Sequence, residues 1–195
     1  MLESLKVQEN DAISILASIF EIQVYVGEKM FDKAYQLFEL HENLPECSFS
    51  ILKRMAGIII LQPHCPMDYT FLVVKKLHLS SKLSQLSIDD YAKWTRILVS
   101  VALKRNNSQD LFDCFVTILQ HQLYKKAEYP QHQLYYLIVI AWNEGITCCF
   151  RSNPQGKNWC RIAFEILAYF NQDEEKKHAL EEQMSDAYRL FESSD

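Results

Sequence analysis

Glycine and proline are scarce: four and five residues in a chain of 195, where average usage is roughly 7% and 5%. An all-β sandwich or barrel turns about every dozen residues, and tight turns consume these two residue types. Phosphate-binding α/β folds need glycine-rich loops as well. Both classes are disfavoured from the outset. No continuous apolar stretch approaches the roughly 20 residues of a membrane span. A basic excess is missing too: 20 Lys and Arg stand against 25 Asp and Glu, a net charge of −5. Lys53-Arg54, Lys75-Lys76, Lys104-Arg105 and Lys125-Lys126 are scattered doublets, read as solvated helix edges and not as a nucleic-acid footprint. The six cysteines form no Cys-x-x-Cys pair, and the first residues lack the basic flank and apolar core of a secretory signal. Most thiols sit in apolar runs, which fits reduced core residues in an intracellular compartment.

What the chain does contain is helix-forming sequence, with 49% hydrophobic and 23% charged residues. Over 10–27, Ile13, Leu16, Ala17, Phe20 and Val24 recur at spacings of three and four, predicting one apolar helix face opened by Asn10 or Asp11 capping. Further helices are expected over about 29–41 and 48–61, and after Pro66 through Phe71, Val74 and Leu77. Ser87-Ile88-Asp89-Asp90 opens a fifth, and Leu111 to Leu123 forms a sixth. The stretch 133–150 is the most apolar and reads as a central buried helix despite its β-branched Ile138-Val139-Ile140. An eighth helix carries Trp159 to Phe170, and 173–195 holds a terminal amphipathic helix. The fold class is all-α: an antiparallel stack of about nine helices forming one helical-repeat domain over 1–195. Tyr25, Phe31, Ala34 and Phe38 carry tetratricopeptide-like offsets, a small residue where one helix crosses another. The expected architecture is a degenerate tetratricopeptide-like α-solenoid. Gly57 and Gly145 fall inside helices, where close helix approach would offset their cost of roughly 1 kcal/mol relative to Ala.

No catalytic constellation emerges. The chain has no Gly-x-Ser-x-Gly elbow, no phosphate loop and no His-Glu-x-x-His helix. Cys148 and Cys149, adjacent on a helix, point about 100° apart and do not readily share a tetrahedral ion, with or without Cys160. The expectation is a protein without enzymatic activity, metal or cofactor. Ala141-Trp142-Asn143-Glu144-Gly145 stands out instead. Trp142 is either a packing residue or an anchor. Asn143, in so apolar a helix, must hydrogen-bond a neighbouring element or be exposed enough to read a partner's backbone.

Tyr129-Pro130, Tyr135-Tyr136-Leu137, Ala141 to Gly145, Phe150-Arg151-Ser152 and Asn158-Trp159-Cys160 through Ala163 and Leu167 together resemble one family. So do Leu86 to Lys93, and Phe49 to Ile60 followed by Pro63. The likeness is to the C-terminal region of the meiosis-specific tetratricopeptide scaffold family of mammalian testis-expressed protein eleven and yeast Zip-four. It is most specific from Tyr129 to Leu167. Family members are several times longer, so the chain resembles only their C-terminal portion.

The resemblance implies a non-catalytic protein-interaction scaffold in meiotic recombination and synapsis. Such a scaffold links crossover-promoting complexes to the central element of the synaptonemal complex. It implies a location in the nucleus on meiotic chromosomes. Partner-binding residues carried over are Trp142 and Asn143, with an amphipathic helix of a central-element component and crossover-complex subunits as partners. Neither direct nucleic-acid contact nor a membrane is expected. The alternative is a generic helical-repeat adaptor without a meiotic role. Either way, an array end exposes an apolar face unless it is capped, so the isolated chain is expected to associate.

Overall fold

A computed structural model describes the chain except at residues 1, 46, 81, 83–85, 172–173 and 193–195, with backbone alone at 2–12 and 190–192. Among the described residues it is all-helical. The helices are α1 (Leu2–Gly27), α2 (Phe31–Glu42), α3 (Phe49–Ile60), α4 (Met67–Leu79), α5 (Ile88–Lys104), α6 (Ser108–His121), α7 (Gln131–Phe150), α8 (Gln155–Leu167) and α9 (Glu174–Glu192). Pro45, Pro63, Pro66, Pro130 and Pro154 all lie outside the helices, because a ring in a helix interior removes a hydrogen bond and clashes with the preceding turn. Contacts divide the chain into two compact units: Met1–Leu86 with Ser100–Asn106, and Ser87–Val99 with Asn107–Asp195.

In the first unit α1 packs on α2 and α3, and α4 packs on α2 and α3. Ala34 and Phe38 are wholly buried with Leu52, Met55, Ile59, Val74 and Leu77. Lys82 closes the C-terminal end of α2 by donating to the carbonyls of Glu42 (2.8 Å) and Leu44 (2.7 Å), which a helix end otherwise leaves unpaired.

Helix α1 departs from expectation twice. It begins at Leu2, so Asn10 and Asp11 lie within it and not at its start; no glycine or proline precedes them in the sequence. Its buried side carries Ser18, Ile19, Ile22 and Val26, while Ile13, Leu16, Phe20 and Val24 are 50–64% exposed. Apolar residues occur on both sides of this helix, so their spacing alone could not choose the core face. Ser18 tolerates burial because its hydroxyl donates to the Ser14 carbonyl at 3.0 Å.

The second unit is built around the pairing of α7 with α8. Ser87 Oγ accepts from the Asp90 amide (3.1 Å) and donates to its carboxylate (2.9 Å), a reciprocal cap that starts α5. Asn107 accepts from the amides of Gln109 and Asp110 at the start of α6. Trp159 of α8 is fully buried and meets Phe112 and Phe115 of α6 edge-on, both with ring centroids at 5.1 Å. Gly145 and Gly156 let the α7 and α8 backbones close on one another: an added Cβ on Gly156 would lie 2.8 Å from the Cys149 amide nitrogen. Gly57 makes no such approach, since a Cβ there would meet nothing within 4 Å. Close packing therefore accounts for Gly145 and not for Gly57.

Candidate protein-interaction face

Helix α7 is not wrapped on all sides. Its core side holds Gln133, Leu134, Leu137, Ile138, Ala141, Gly145 and Cys148. The opposite side carries Tyr136, Val139, Ile140, Asn143, Ile146, Thr147 and Phe150, all half-buried or exposed. The correction has a simple cause. A helix uniformly rich in apolar residues signals general burial, but α8 covers only one stripe of it. Between His132 and Arg151 the sole charged residue is Glu144. An outward face of this length with so little charge is the exception on a protein surface.

Trp142 is half-buried, its indole in a T-shaped contact with Phe164 of α8 (ring centroids 5.8 Å), and Phe164 in turn meets Tyr188 of α9 at 6.2 Å. Asn143, one position and about 100° further round, is exposed, and its side-chain amide makes no hydrogen bond among the described residues. The two are thus neighbours with different roles. Trp142 packs beside α8 and is half-exposed, whereas Asn143 is exposed. Water satisfies that amide, so a polar residue amid apolar ones carries no burial penalty here.

Two turns before Trp142 on the same side, Tyr135 is 49% exposed. It borders a groove of about 460 Å³ lined by His132, Tyr135, Phe170, Lys176, Ala179, Leu180 and Gln183. Phe170 packs on the Tyr135 ring at 6.0 Å. On the other flank, the Arg96 guanidinium of α5 lies over the Tyr136 ring at 4.8 Å, a favourable cation–π placement. Tyr135 and Phe150 entered the sequence reading only within the family resemblance, not as partner-binding residues, and the groove was not anticipated. The run of α7 without charge on its outer side was the available signal.

No group of three or more His, Cys, Asp or Glu able to hold a metal occurs among the described residues. Burial, reinforced by neighbouring Cys149, pushes the Cys160 thiol up to about 12, and burial also raises Cys148; such thiols behave as core groups and not as nucleophiles. Burial raises the Tyr91 phenol to about 12, and its hydroxyl pairs with His121 Nδ1 at 3.0 Å. Among the described residues, no helix is long and apolar enough to cross a membrane. No family model matches the chain, and no solved structure matches it.

Proposed function

We propose that the chain is a non-catalytic interaction scaffold whose α7 outer face, centred on Trp142 and Asn143, receives an amphipathic helix of a partner protein. The observation that carries this reading is the almost chargeless outer side of α7, with an exposed amide at its middle. A partner helix laid along it would cover Tyr135, Val139, Ile146 and Phe150 with its own apolar residues, a helix-in-groove mode. Asn143 would fix register by a hydrogen bond that a wrong partner leaves unmade.

The resemblance described above supplies the setting: meiotic recombination and synapsis, in the nucleus on meiotic chromosomes. The scaffold would join crossover-promoting complexes to a central-element component of the synaptonemal complex. Direct nucleic-acid contact has no part in this reading, because the chain is acidic overall. A two-hybrid assay of the chain against central-element proteins tests it. Binding by the unaltered chain and loss with Trp142→Ala support the reading; no binding to any central-element protein removes the meiotic setting.

A further inference from the structure

Tyr135, Val139, Trp142, Ile146 and Phe150 follow one another on α7 at intervals of four, three, four and four. That spacing sets them on a single stripe of the helix, and each is half-buried or exposed. The groove lies at the Tyr135 end of the stripe, so the two make one apolar track. Tyr135 of α7 and Leu180 of α9 line it, and Phe170 is its buried member. The chain leaving α8 is pinned to the start of α7: the Asn171 amide donates to Gln131 Oε1 at 2.7 Å. The Lys177 ammonium of α9 donates to the Ala168 carbonyl at 3.3 Å. The fold itself therefore builds the groove. Charge at this end has one sign. The described lining holds Lys176 and neither Asp nor Glu. No side chain caps α7 behind Pro130, and its first turn contains no acid, so its own helix does not offset the positive end of its dipole. His132 of that turn also lines the groove, its Nε2 3.0 Å from Gln133 Nε2.

We infer that groove and stripe together dock a partner helix in which Asp or Glu stands one turn from a large apolar anchor. The inference rests on the proposed function and adds to it the chemistry of the partner. The anchor enters the groove between Tyr135 and Leu180. The neighbouring carboxylate meets Lys176 and the first turn of α7, where positive potential is complementary to it. Further apolar residues of the partner, at helical spacing, lie along Val139, Trp142 and Ile146. A helix with Lys or Arg beside its anchor would set like charges together at Lys176, and a wholly apolar one would leave the positive end unmatched. The acid thus selects among helices that the apolar stripe alone would accept equally.

The test selects binders of the full chain from a displayed library of amphipathic helical peptides with randomised sequence. Enriched peptides are expected to carry Asp or Glu within one turn of Leu, Phe or Trp. For the tightest of them, made synthetically, Lys176→Glu should weaken binding by about threefold to tenfold. Changing the peptide's acid to Lys should then restore it, which a merely structural effect of the substitution would not do. Ala179→Trp should fill the groove and abolish binding. Lys176 and Ala179 are both exposed, so both variants should fold, as circular dichroism checks. Enriched peptides without the acid, or binding indifferent to Lys176→Glu and Ala179→Trp, would overturn the inference. Loss of that binding in Trp142→Ala would then leave helix docking on α7 standing. Indifference to Trp142→Ala as well, or no enriched helix at all, would remove both.

Discussion

Gly145 and Cys160 meet so closely that a methyl group on Gly145 would lie 2.7 Å from the Cys160 sulfur, 3.0 Å from its amide nitrogen and 3.2 Å from the Trp159 Cβ. Two of those atoms belong to the α8 backbone or its first side-chain carbon and cannot swing aside. Gly145→Ala should therefore destabilise the chain by about 1–3 kcal/mol, as overpacking does, despite the better helix propensity of alanine. Gly57→Ala should do the opposite. It gains roughly 1 kcal/mol of helix propensity and meets no neighbour. Urea denaturation of both variants, followed by far-ultraviolet circular dichroism, checks the pair of signs.

The tryptophans of the second unit should separate cleanly. Trp159 is wholly buried between Phe112 and Phe115, so Trp159→Ala should cost about 3–5 kcal/mol. Its indole N–H finds no acceptor among the described residues. Trp159→Phe removes that unpaired donor and should cost much less than truncation to alanine. Trp142→Ala, at a half-exposed site, should cost only about 1–2 kcal/mol. Thermal melts of the three variants order them.

Acid should weaken the fold through two histidines. His41 is held below its ordinary value of 6.5 by burial and then by the Lys82 ammonium, and His121 by burial. Both are neutral in the folded chain, while the unfolded chain binds protons on them near pH 6.5. Stability is thus fully present above about pH 6.5 and falls as pH drops toward the lower folded values. His121 Nδ1 also pairs with the Tyr91 hydroxyl at 3.0 Å, so a charge on the ring falls beside that buried phenol. Denaturation midpoints should decline from pH 7 to pH 5, and less steeply in His41→Leu. An unchanged slope in that variant would exclude His41 as a contributor.

The exposed stripe Ile13, Leu16, Phe20 and Val24 on α1 should make the isolated chain self-associate. Sedimentation equilibrium should show mass rising with concentration, and Phe20→Lys should shift the chain toward monomer. A stable monomer of the unaltered chain at high concentration would contradict this.

Most of the fold was legible in the sequence because helix ends are local. Pro66, Pro130 and Pro154 sit directly at helix starts, and Ser87 caps α5 as its spacing with Asp90 implied. Which side of a helix is buried is not local. In α1, Ile13-Leu16-Phe20-Val24 and Ile15-Ile19-Ile22-Val26 are both credible core stripes, and only the placement of α2 and α3 chose the second. The same uncertainty made α7 read as buried all round. It left open whether Asn143 was bonded inside the protein or free to face solvent. Gly57 and Gly145 look alike in sequence for the same reason: only the neighbouring helix distinguishes them.

The central claim concerns Asn143, whose removal leaves the apolar packing of α7 intact. The most direct test is the dissociation constant between the chain and a central-element protein that it captures, measured for the unaltered protein and for folded Asn143→Ala. Loss of one interfacial hydrogen bond, about 0.5–1.5 kcal/mol, should weaken binding by roughly threefold to tenfold. Equal affinity in the folded variant would contradict the account.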